Sequence, residues 1–130
     1  MSPTNRDRTE RGYAALARRD LEAFLELVDP DVEFTSLIAE SEGQTYRGHV
    51  GVRQWWEQVV DALGGLRFRV EHLREVGDRV LVTIDVTGHV EGVDVSQTMY
   101  QVLRVREGRA VSWHSFRTRE EALVEVEQAA

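Results

Sequence analysis

Apolar residues early in the chain recur at helical spacing. Tyr13, Leu16 and Ala17 stand at i, i+3 and i+4 and predict a helix from about Thr4 to Arg18. Leu21, Phe24, Leu25 and Val28 repeat that spacing and predict a second helix, with Asp20 as its N-cap. Asp29-Pro30-Asp31 stops it, since the residue before a proline is pushed out of the α region. The period then falls to two. Val32 to Leu37 reads as a short strand with Val32, Phe34 and Ser36 on one face. A polar loop over 39–44 and a brief strand at Thr45-Tyr46-Arg47 lead to a third helix, Gly51 to Leu63. Its apolar side carries Val52, Trp55, Trp56, Val59 and Leu63, and Gly64-Gly65 terminates it.

Beyond Leu66 the chain reads as strands. Leu66 to Val76 and Arg79 to His89 are joined at Gly77-Asp78. Thr98 to Phe116 is a hairpin turned over Arg106-Glu107-Gly108-Arg109, where Gly108 can take a positive φ. Thr118 caps a last helix, Arg119 to Gln128, with Glu121 at the capping-box position. The order α-α-β-β-α-β-β-β-β-α predicts an α+β roll. Helices gather on one side of a curved antiparallel sheet, in one domain spanning residues 1–130.

Composition narrows the chemistry. There is no cysteine, so no disulfide, thiolate nucleophile or zinc–thiolate site. All 16 basic side chains are Arg, which removes Schiff-base lysine chemistry. A net charge of −7 argues against nucleic acid or an anionic membrane as partner. No apolar run approaches the roughly 20 residues of a membrane span. The polar start lacks a signal-peptide apolar region, and a cytoplasmic location is the expectation. His49, His72, His89 and His114 form no ligand spacing, so neither a metal nor a cofactor is expected. P-loop, dinucleotide and G-x-S-x-G motifs are absent.

Three stretches carry a resemblance: DLEAFLELVDPDVEFTS (20–36), YRGHVGVRQWWEQV (46–59) and GRAVSWHSFRTREEAL (108–123). With the strands between them they resemble the nuclear-transport-factor-2-like superfamily, in its SnoaL-like and ketosteroid-isomerase-like branch. The resemblance implies a cone. A curved mixed or antiparallel sheet wraps a deep, mostly apolar pocket, with three to four helices over its concave face. It implies fold far more than function, because that fold hosts isomerases, cyclases, hydrolases and non-catalytic binding domains.

The steroid isomerases use an aspartate base, a tyrosine and a protonated aspartic acid. Set against their pattern, the base position falls on Ser36, the tyrosine on Gly12 and the acid on Gln101. All three groups are missing, so no steroid-isomerase activity is expected. Gln101 keeps a donor amide at its position. The epoxide-hydrolase branch uses Arg-x-Asp on the first long strand of the hairpin series. The run here is Thr83-Ile84-Asp85, with the aspartate but not the arginine.

Asp85 is the most informative single residue, because aspartate is a poor β-former in mid-strand. Alternation sets Thr83, Asp85 and Thr87 on one face and Val82, Ile84 and Val86 on the other. The polar face is either simply wet, or looks into the pocket with Asp85 as its carboxylate. Gln101, between Met99 and Leu103 on its face, either lines the pocket or makes a structural hydrogen bond. Trp56 and Trp113 read as core or pocket wall rather than as chemistry.

The expectation is a pocket protein for a compact, apolar or amphipathic organic ligand, with Asp85 as base and Gln101 orienting the substrate if catalysis occurs. Tyr13, Phe34, Ser36, Trp56, Thr83, Met99, Trp113 and Arg117 are the expected lining. Arg117 could serve as counter-charge to a desolvated Asp85. The alternative is a non-catalytic ligand- or protein-binding scaffold. Apolar residues on both faces of the central strands, Val80, Val82, Ile84 and Val86 on one strand with Tyr100 and Val102 beside them, predict a homodimer through the outer sheet face.

Overall fold

The computed structural model describes residues 4–36 and 44–127. Most of the loop expected over 39–44 lies outside these residues, as do Leu37 and Gln128 at the ends of two predicted elements.

Helix α1, Asn5–Ala17, opens with a capping box in which Thr4 and Asp7 satisfy each other's backbone N–H groups. Helix α2, Leu21–Glu26, is capped by Asp20, whose Oδ1 accepts from the Ala23 N–H at 3.1 Å. It ends two residues before Val28, which instead opens strand β1, Val28–Ser36. The Asp29-Pro30-Asp31 run therefore sits inside a strand, where the pairing register shifts between Val28 and Glu33. A bulge is where proline's missing N–H costs the ladder least.

Strand β2, Gln44–Arg47, leads at Gly48, with φ 68°, into helix α3, Gly48–Trp55. The helix continues as a π-helical segment, Trp56–Asp61. Then come β3 (Arg67–Val76), β4 (Arg79–Val90), β5 (Val93–Arg106), β6 (Arg109–Phe116) and α4 (Arg119–Glu127). Strand β5 begins five residues before the predicted hairpin, extending the register with β4 from Arg79↔Arg104 to Val90↔Val93.

The six strands form one sheet in the order β2-β1-β6-β5-β4-β3. β1 and β6 run parallel and every other neighbouring pair is antiparallel, so the sheet is mixed. The architecture is an α+β cone. Its main core lies between the sheet and α1, α2 and α3. Phe24, Val52, Trp55, Trp56 and Val59 pack there on Val32, Phe34, Val82, Ile84, Met99 and Trp113. The fourth helix takes the opposite face, where Ala122 and Val126 bury Leu81 and Val102.

This arrangement corrects the predicted facing of β4. Val80, Val82, Ile84 and Val86 are at most 1% exposed and point into the core, not out of the sheet. Strand alternation is intact, but the drier face is the inner one, and burial of four branched side chains outweighs any gain from a polar interior. Of the residues that motivated an outer-face dimer, the four of β4 are therefore covered by the inner helices and Val102 by α4, while Tyr100 stays half-buried.

Candidate functional site

The interior polar residues converge on Gln101, 7% exposed on the inner face of β5. Its Oε1 accepts from the Tyr13 hydroxyl of α1, and from Trp113 Nε1 at 3.1 Å. Its Nε2 donates to Ser115 Oγ at 2.9 Å. Ser115 Oγ in turn donates to the Thr35 carbonyl at 2.9 Å, and the Ser115 N–H donates to Thr35 Oγ1 at 2.8 Å. The network thus ties α1 to β5, β6 and β1 across the cone. Both hydrogens of the amide are donors, and Ser115 uses one.

Aromatic rings surround this network. Phe34 and Trp55 have centroids 4.7 Å apart, Phe24 and Trp113 5.1 Å, and Tyr13 and Trp113 5.3 Å. Trp55 Nε1 donates to Ser36 Oγ at 3.0 Å. Burial pushes the Tyr13 phenol well above its ordinary range, against a smaller lowering from Trp113, so it acts as a neutral donor. Gly12 lets the Trp113 ring lie against α1: a Cβ there would sit 3.3 Å from Trp113 Cη2.

Between these walls is a narrow void, bounded also by Leu16, Phe68 and Ile84. Room for the centre of a water-sized sphere is about 10 Å³, roughly one water. None of the described residues lining it is a carboxylate, histidine or arginine. Among the described residues, no group of three or more His, Asp or Glu is placed to hold a metal ion.

Phe34, Ser36, Gln101 and Trp113 line this void, and Tyr13 reaches it through Gln101. The tyrosine position of the isomerase pattern is empty at Gly12, yet its neighbour Tyr13 meets Gln101. Trp56 and Met99 are buried but lie behind the wall; Trp56 packs on Phe24 at 5.7 Å. Asp85, Thr83 and Arg117 are not brought to the site. Asp85 is on the outer face, accepts from Thr98 Oγ1 at 3.1 Å and has Arg69 Nη2 at 3.8 Å. Thr83 is on the same face, near His72, Arg74 and Arg119, and Arg117 is exposed beyond the end of β6. The threonines and aspartate occupy the outer face because water and Arg69 solvate a carboxylate there, and the aromatic interior does not.

Sequence reading missed Trp55, Phe68, Thr35 and Ser115 as lining residues. Trp55 was legible as part of the apolar stripe of α3. Phe68 and Ser115 follow from alternation once the inward face of each strand is known.

The SnoaL-like domain family matches residues 9–113, and the chain belongs to it, within the NTF2-like superfamily. Solved structures share the whole fold. TerC, co-crystallised with polyporic acid, is 25% identical, with a TM-score of 0.77 over 95% of this chain and 98% of that one. An NTF2-like protein of unknown function from Burkholderia pseudomallei K96243 is 24% identical, with a TM-score of 0.79 over 96% and 98%. A hypothetical protein with a ketosteroid isomerase-like fold from Catenulispora acidiphila DSM 44928, in complex with trimethylamine, is 17% identical, with a TM-score of 0.76 over 95% of each chain. No curated protein matches the sequence.

Proposed function

We propose that this chain is a small-molecule pocket protein of the SnoaL-like type. A compact, largely apolar organic molecule enters between the sheet and α1–α3 by parting Phe34, Trp55 and Trp113, whose packed rings leave space for about one water, and is oriented through the amide of Gln101. The observation that carries this reading is the Gln101 network. It holds a primary amide rigidly at the wall of an aromatic void, which is how pockets fix orientation with few polar groups. TerC, of the same fold, is co-crystallised with polyporic acid, which supports a small-molecule ligand. The described lining offers neutral donors and acceptors and no group that titrates near neutrality. The proposal is therefore binding and orientation, with Asp85 outside the pocket.

The narrowness of the void favours a second reading, a scaffold that binds a protein partner through its surface. Nuclear magnetic resonance separates the two. On titration with 2-naphthol, an apolar probe with one hydroxyl, the indole N–H signals of Trp55 and Trp113 shift together under the first reading. Signals that stay fixed up to the solubility limit of 2-naphthol favour the scaffold.

A homodimer through the outer face remains a proposal, resting now on the half-buried Val76, Tyr100, Phe116 and Leu123 around α4. Sedimentation at micromolar concentration checks it; a clean monomer of 14.9 kDa removes it. Among the described residues, no helix is long and apolar enough to cross a membrane.

A further inference from the structure

A larger space than the inner void lies against the edge of the sheet. It is a groove of about 470 Å³ between the C-terminal end of α1 and the first residues of β3. Ala17 and the half-buried Phe68 supply accessible apolar surface over the buried Leu16 and Leu66, and Arg19, Arg67 and Arg69 supply three guanidinium groups. Leu16 and Phe68 also bound the inner void, so the groove lies across one wall from it.

The charge here runs against that of the whole chain, which is −7. Arg69 is neutralised by Glu71 and, at 3.8 Å, by Asp85. Arg19 donates to the carbonyls of Leu66 at 2.6 Å and Gly64 at 3.4 Å, neutral partners that leave its charge uncompensated. Its backbone is in the left-handed region, φ 61°, which is uncommon for a residue other than Gly, Asn or Asp. Arg67 is exposed, and no described carboxylate pairs with it. Two unpaired guanidinium groups beside an apolar floor match a ligand with an anionic end and a flat apolar body.

We propose that this groove binds a small aromatic carboxylate. The ring lies on Ala17 and Phe68, and the carboxylate accepts hydrogen bonds from Arg67 and Arg19. The proposal does not require the inner void to be occupied.

Titration with 2-naphthoate and, in parallel, with 2-naphthamide tests it, with backbone amide shifts as the readout. The amide keeps the ring and loses the charge. Naphthoate is expected to shift the amides of Arg67, Phe68 and Thr87 and to bind more tightly than naphthamide. Arg67→Gln, an exposed change that spares the fold, is expected to weaken naphthoate about three- to fivefold and leave naphthamide unchanged. Equal binding of the two probes, no effect of Arg67→Gln, or no naphthoate binding at millimolar concentration overturns the proposal. Shifts confined to Trp55 and Trp113 also overturn it, while leaving the inner-pocket reading intact.

Discussion

At the scale of single residues, two polar side chains in mid-strand met opposite fates. Gln101 is buried and bonded to three partners. Asp85 is on the outer face, its side chain 31% exposed. The period-two pattern separated the faces of β4 and β5 correctly. It did not say which face was inward, because that depends on where the helices pack, a tertiary fact. Gln101 between Met99 and Leu103 was the legible case, since its apolar flanks share its face. Gln101→Leu is expected to strand the Tyr13 hydroxyl and the Trp113 N–H in an apolar interior. At about 1–3 kcal/mol for each of the two abandoned groups, the loss is roughly 2–6 kcal/mol in urea unfolding. Asp85→Asn, by contrast, is expected to change stability by less than about 0.5 kcal/mol and to leave probe binding unchanged. A large loss from Asp85→Asn, or none from Gln101→Leu, would reverse these assignments.

At the scale of elements, the sequence showed each helix and strand but blurred their ends. The third helix is instructive. Its buried residues come in adjacent pairs, Gly51 and Val52, Trp55 and Trp56, Val59 and Val60, spaced four apart. An α-helix of about 3.6 residues per turn lets such pairs drift off the core face. The wider π-helical turn over Trp56–Asp61 brings Val59 and Val60 back to it. The spacing of four was visible in the sequence, although it reads at first as an ordinary amphipathic helix. The second helix ended early for a similar local reason, since Val28 is fully buried where it opens strand β1.

The last helix is held to the sheet partly by charge. His114 of β6 faces Glu125 of α4 and, at 3.7 Å, Glu33 of β1. The hydrogen bond to Glu125 raises the His114 pKa above its usual value. Burial opposes that rise, the charges of Glu125 and Glu33 reinforce it, and Arg79 opposes it. A raised folded-state value stabilises the protein fully below about pH 6.5, the ordinary value of an unfolded histidine. That contribution is lost as pH rises through the folded value. The urea midpoint is therefore expected to fall as pH climbs from 6 towards 9, and His114→Gln to flatten the decline. An unchanged slope in His114→Gln would mean that other groups set it.

At the scale of the whole molecule, the order of elements and the cone were legible from periodicity and resemblance together. The occupancy of the cone was not, because the volume left between packed aromatic rings follows from rotamers and crossing angles that no linear pattern encodes. The same packing sharpens the comparison with the steroid isomerases. Ser36 accepts from Trp55, and the described lining holds no carboxylate. A 3-oxo-Δ5-steroid is expected to turn over no faster than in buffer; turnover well above that rate would require a proton acceptor outside the described lining.

The central claim is that the cone receives a small, largely apolar molecule against Gln101. A crystal structure of the protein grown with 2-naphthol tests it most directly. The account predicts naphthol density between Phe34, Trp55 and Trp113, with its oxygen within hydrogen-bond reach of Gln101 Nε2. A cone filled only by its own side chains, with naphthol absent or bound solely on the surface, would contradict it.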